Sequence, residues 1–262
     1  MSNAAHSNPM KNSSNTISIN LGLYESQIRG EIASDLATLH VAHEAMSHPD
    51  YINTTFTLKQ GIVISQINVP PIKFQKKREV NKCFKSVMSS MQDYLDKMIS
   101  ILRLKSDVFE IVPPVNGEVI NRILTERFKK HLMEVSTDRS LNVPKKLNLI
   151  FEMPEHQVYK EALQSYFDVR NAFEHHKGIA KVDRVILYKR LGLASTAGYE
   201  VKEPGPLGEN EGLVLKTFDE KISFDGGGEM LITKEQLEVI ILGILIFIIP
   251  TVQIAVGEKL NI

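Results

Sequence analysis

Residues 154–178, PEHQVYKEALQSYFDVRNAFEHHKG, read as a helix bracketed at both ends and carrying more polar chemistry than packing requires. Pro154 suits the first helical turn, where its missing N–H costs nothing, and Gly178 suits a left-handed residue just past the last turn. Between them Tyr159, Ala162, Leu163, Tyr166, Phe167, Arg170 and Phe173 recur every three or four residues and form one stripe. Arg170 falls near its middle. A guanidinium among apolar neighbours must find an acid, backbone carbonyls or a bound anion, because an unpaired buried charge is strongly unfavourable. Asn171 and His175 are four apart and share a flanking face, within reach of the same cleft as the long Arg170 side chain.

Outward from this helix, apolar periodicity predicts others. Leu23, Ile28, Ile32, Leu36, Leu39, Ala42 and Met46 predict one over 23–46. A longer one over 74–104 has Val80, Phe84, Val87, Met88, Met91, Leu95, Met98 and Leu102 on one face. At 1.5 Å per residue it would run about 45 Å, enough to be the spine of a bundle. After Pro113-Pro114, a helix over 118–135 turns Ile120, Ile123, Leu124, Phe128 and Leu132 inward, and a short one follows over 144–151 with Asn142 near its cap. Short connections favour neighbouring, largely antiparallel helices.

The β signals are fewer. Residues 54–69, rich in β-branched side chains around Lys59-Gln60-Gly61, predict a short hairpin. Beyond Gly178 come a strand or short helix at 182–188, a Gly/Pro/Glu-rich loop at 192–212, and short strands at 213–218, 222–224 and 230–232. Asp219-Glu220 and the turn Gly226-Gly227-Gly228 separate those last strands. Thr233 and Gln236 stand in capping-box order before the last helix. Its segment 239–250, VIILGILIFIIP, is apolar all round but short of the roughly 20 residues that span a bilayer. It reads as a core or dimer helix, with no membrane contact expected.

The expected fold is therefore mainly α: an antiparallel helical bundle with a small β insertion before the last helix. The regions are a disordered leader (1–20, with five Ser and five Asn), an N-terminal helix plus hairpin (21–72), a helical core (73–178), a loop-rich β insertion (179–232) and an apolar C-terminal helix (233–262).

Lys plus Arg and Asp plus Glu number 31 each, so no global field holds a polyanion, and a nucleic-acid role needs a local patch. Lys76, Lys77, Arg78, Lys82 and Lys85 offer one, although such a run is more often a solvated face. The single cysteine, Cys83, lies on an apolar stripe and excludes a disulfide framework within the chain. His40, His43 and His48 lack H-E-x-x-H order and a second ligand cluster, so neither a metal nor another cofactor is expected. No secretory h-region is evident, and a cytoplasmic location is expected.

The string Arg170-Asn171-x-x-x-His175, on a late helix with aromatic residues upstream and a glycine soon after, resembles the HEPN superfamily, many of whose members are metal-independent ribonucleases. The resemblance covers the helices of 74–178 and the last helix. It implies an endoribonuclease that cleaves RNA by 2′-OH attack to leave a 2′,3′-cyclic phosphate, with the cleft formed between two protomers that pack their motif helices together. Arg170 would hold phosphate oxygens, His175 would exchange protons, and Asn171 would orient either. Glu174, Tyr166 and His176 would support them, and Lys76, Lys77, Arg78 and Lys177 would contact RNA. An antitoxin or other regulatory protein is the further partner implied, in toxin–antitoxin or phage-defence biology. The alternative is a non-catalytic interaction or nucleotide-binding regulatory module on the same scaffold.

Overall fold

The computed structural model describes residues 19–48, 56–57, 63–64, 71–108, 117–201 and 212–260. All but the last two residues of the expected leader, the Lys59-Gln60-Gly61 turn, the Pro113-Pro114 break and residues 202–211 of the expected loop lie outside the described residues.

The architecture is mainly helical, with two separate two-stranded antiparallel sheets among the described residues. Helix α1 spans Leu21–Ser47, and a short antiparallel pair follows, β1 Phe56–Thr57 with β2 Val63–Ile64, inside the segment expected to be a hairpin. Helix α2, Ile72–Val108, has 37 residues and is about 55 Å long. Its stripe from Phe84 through Val87, Met88, Met91, Leu95 and Met98 is fully buried, as the periodicity requires. Helix α3, Gly117–Thr137, presents the expected face but leaves Ile120, Ile123, Leu124, Phe128 and Leu132 only half-buried.

Helix α4, Val143–Ile150, begins where Asn142 Oδ1 accepts the Lys145 N–H at 3.2 Å. A single 3₁₀ turn, Pro154–His156, then leads into α5, Gln157–His175. The last helical run comprises α6, Lys234–Gly243, a π turn, Ile244–Ile248, and α7, Ile249–Leu260. The capping box opens it: Thr233 Oγ1 accepts the Gln236 N–H at 3.2 Å, and Gln236 Oε1 accepts the Thr233 N–H at 2.9 Å. Pro250 has no N–H to return to Ile246 and would press on its carbonyl, and the wide turn just ahead of it relieves that conflict. Among the described helices, α2 touches each of the others and is the spine. By length and composition Lys234–Leu260 could cross a membrane, yet 56% of its most apolar window is buried against the rest of the chain.

The region after α5 departs from the expectation. It forms two long strands, β3 Arg184–Ser195 and β4 Leu213–Phe224, in unbroken antiparallel register from Arg184↔Phe224 to Ser195↔Leu213. Gly192 is a strand residue rather than the start of a loop, Asp219-Glu220 sit within β4, and 230–232 is not a strand. Gly192 is required by crowding: a Cβ there would stand 2.8 Å from Arg190 Nη1 and 2.9 Å from the Phe218 ring. Arg190 lies over that ring at 5.2 Å, directly opposite it in register. The proximal half of the ribbon packs Ile186, Tyr188, Ile222 and Phe224 into the core against α5 and α6, while Leu213–Thr217 stay exposed. The triple glycine makes the expected turn, where the Gly228 N–H donates to the Asp225 carbonyl at 3.0 Å and Gly227 takes a φ of 84°.

Candidate functional site

Arg170 leaves the apolar stripe of α5 to meet α2. Its Nη1 donates to Gln92 Oε1 at 3.2 Å and its Nη2 to Ser89 Oγ at 3.4 Å, while Glu174, one turn on, pairs with Nη2 at 3.1 Å. The side chain is 17% exposed, and the Nε group is buried without a partner. Asn171 is exposed beside it, and both line a groove of about 510 Å³. Its other walls are the end of α3 at Ser136 and Thr137, the loop that follows to Asn142, the start of α4, and Gln164 and Asp168 of α5. On that rim Asp138 is held below the usual carboxylate range by hydrogen bonds from the Ser140 hydroxyl and N–H.

Beneath the groove lies an ion pair that the sequence did not reveal. Lys146 of α4 meets Asp96 of α2 at 2.5 Å, each side chain only 4% exposed. Burial pushes the Asp96 carboxyl up, and the hydrogen bond and charge of Lys146 pull it back in part.

His175 closes α5 and is exposed, and the ring of His176, the helix's cap residue, stands 6.5 Å from it. Lys177 follows with a φ of 54° and Gly178 with 81°. The sequence assigned the left-handed turn to the glycine alone, yet a lysine shares it at a cost of about 1–2 kcal/mol. That backbone turns the chain toward a second groove, about 610 Å³, between Phe173, Lys177 and Gly178 on one side and Phe74, Lys77, Arg78, Asn81, Lys82 and Lys85 of α2 on the other. Lys77 is paired with Glu229, and Lys82 lies 3.6 Å from Glu79. Arg78, Lys85 and Lys177 have no carboxylate partner among the described residues.

Thus Lys77, Arg78 and Lys177 of the expected RNA-contacting set come together, joined by Lys82 and Lys85. Lys76 does not join them: its Nζ donates to Ser47 Oγ at 2.7 Å and its carbonyl meets His43 Nε2 at 3.2 Å, so it faces α1. Burial pushes the His43 imidazole down, and His40 pairs instead with Glu238 at 3.1 Å. Among the described residues no three His, Cys, Asp or Glu side chains stand together as a metal site. Tyr166 is not brought to the Arg170 groove. It is 1% exposed and lines a different cavity, between α5, β3 and the π turn.

Comparison with known proteins yields no match: no family model matches the chain, and no curated protein or solved structure matches it either.

Proposed function

We propose that the chain is a HEPN-like, metal-independent endoribonuclease acting as a homodimer. The observation that carries this reading is the surface of α5: Asn171 lines one groove with Arg170, His175 is exposed one turn further on, and the helix runs into a second groove where Arg78, Lys85 and Lys177 have no carboxylate partner among the described residues. Cleavage of RNA by its own 2′-OH needs a base for that proton, an acid for the departing 5′-oxygen and positive charge for the phosphorane. Two copies of His175, one from each protomer, would supply base and acid, an imidazole being suited to both near neutral pH. The Arg170 fork would hold phosphate oxygens with Asn171 beside it. Arg78, Lys85 and Lys177 would bear the flanking phosphates, with exposed Phe74 available to stack on a base. Exposure of Asn171, Glu174 and His175 on one helix also suits that surface to a partner helix.

One observation favours a second reading, a non-catalytic helical interaction module. Gln92, Ser89 and Glu174 already occupy the Arg170 guanidinium, which suits a pin between α5 and α2.

The deciding experiment incubates the wild type, Arg170→Ala and His175→Ala with mixed single-stranded and structured RNA in EDTA, and analyses product 3′ ends. Under the ribonuclease reading the wild type alone cuts, by at least about a hundredfold over the variants, leaving 2′,3′-cyclic phosphates. Equal cutting by all three, or no cutting by folded dimers, rejects it. Destabilisation of Arg170→Ala without any wild-type cleavage establishes the pin.

A further inference from the structure

The cavity that holds Tyr166 stands apart from both grooves. It has a volume of about 250 Å³ and is walled by Tyr159, Ala162 and Tyr166 of α5, Leu187 of β3, and Gly243 and Phe247 of the final helical run. An apolar cavity of roughly 150 Å³ accepts benzene, so this one has room for two fused rings. It persists because its walls cannot close. A Cβ at Gly243 would meet the Lys189 carbonyl at 3.0 Å, so α6 already lies against β3 there. The π turn supplies the next wall, its widened backbone set by Pro250.

The polar groups of the cavity sort into two kinds. Lys189 Nζ donates to Asp219 Oδ1 at 2.6 Å, and the Tyr188 hydroxyl donates to Glu220 Oε2 at 2.7 Å. These groups are committed to each other, so no free charge is offered to an ion. Tyr166 differs: it is 1% exposed, and its hydroxyl has no hydrogen-bond partner among the described residues. The hydroxyl is therefore a donor that water or a molecule in the cavity can meet. Burial pushes its ionisation up, so it is an O–H donor at neutral pH and calls for an acceptor.

We propose that this cavity is a binding site for a flat, neutral, one- or two-ring aromatic molecule whose oxygen acceptor takes the hydrogen bond of Tyr166. The tyrosine and phenylalanine walls favour ring stacking or edge contacts, and the exposed Val158 and Leu187 mark its mouth. The inference does not depend on the ribonuclease reading.

The test titrates the full chain calorimetrically with two probes, coumarin, which has two rings and a lactone carbonyl, and naphthalene, which has the rings alone. The wild type should bind coumarin saturably at one per chain. Tyr166→Phe, which deletes only the hydroxyl, should weaken coumarin about tenfold and leave naphthalene no weaker, as loss of one ligand hydrogen bond predicts. Ala162→Leu should abolish both by filling the cavity. Absence of saturable binding to the wild type overturns the proposal. So does undiminished coumarin binding by Tyr166→Phe, or retention of both probes by folded Ala162→Leu.

Discussion

Removal of Lys146 isolates what the buried ion pair contributes. At the 2.5 Å separation from Asp96 and an effective dielectric of about 20, the attraction is about 6–7 kcal/mol. The desolvation of two side chains that are each 4% exposed offsets most of it. Lys146→Met discards the attraction but leaves the Asp96 carboxylate out of water, so the expected loss is about 3–5 kcal/mol. That is a large part of a total stability on the order of 5–15 kcal/mol. The loss depends on pH with a definite sign. Burial already holds the folded Asp96 pKa above its ordinary value of 3.8, and without Lys146 it rises further. A raised carboxyl contributes stability that is present below the unfolded pKa and lost as pH rises through the folded one. The penalty measured by urea unfolding should therefore be larger at pH 8 than at pH 5. Asp96→Val with Lys146→Met removes both charges and should recover to within about 1 kcal/mol of the wild type or exceed it. A single-variant loss below about 1 kcal/mol at pH 8, or an equal loss at both pH values, refutes the reasoning.

Gly192→Val raises β propensity yet should destabilise by about 1–3 kcal/mol in urea melts, because the new side chain must displace Arg190 from Phe218 or bend the ribbon; unchanged or higher stability would contradict this. Burial, with the charge of Asp35 adding, pushes the Cys83 thiol from 9.0 up to about 12, and burial with the hydrogen bond to Glu220 pushes Tyr188 from 10.0 up to about 12. Both pKa values are raised on folding, so the stability they confer is complete below pH 9.0 and is lost as pH rises toward about 12, which urea midpoints across that window should register. In the same window iodoacetamide should alkylate folded Cys83 at least about tenfold more slowly than the unfolded chain.

The helices were legible because each buries a continuous stripe and apolar spacing reports that directly. The reading of 74–104 became Ile72–Val108, and 118–135 became Gly117–Thr137. The long ribbon was not legible, for a physical reason. Only its proximal half is packed, so alternation is clear at Ile186 and Tyr188 and vanishes over Leu213–Thr217, where every side chain is exposed. Gly192 and Asp219-Glu220 carry turn chemistry in sequence, yet each answers a cross-strand neighbour. The Asp96–Lys146 pair was hidden differently. Each charge alone on its helix resembles a solvated residue, and their partnership depends on α4 packing across α2. Tyr166, assigned to the motif by proximity in sequence, turns to the opposite side of α5 from Asn171, because residues five apart on a helix do not share a face.

Three sets of charges bear on what α5 can do. Asp96 and Lys146 neutralise each other out of water and serve the fold. Arg78, Lys85 and Lys177 line a groove without a carboxylate partner among the described residues, so they are available there to a polyanion. Arg170 stands between these kinds, half committed to Glu174 and to neutral oxygens on α2. With 31 charges of each sign there is no long-range field to draw RNA in, so any such affinity must arise at the groove itself. Three cations without a carboxylate partner among the described residues imply a salt dependence of log K near −0.7 per phosphate neutralised on a single strand, a total slope of roughly −2. Arg170 is already ion-paired with Glu174 and so releases few further counterions on meeting a phosphate, and the slope should change less with Arg170→Ala than with Arg78→Ala, Lys85→Ala or Lys177→Ala, each of which should lower it by about a third.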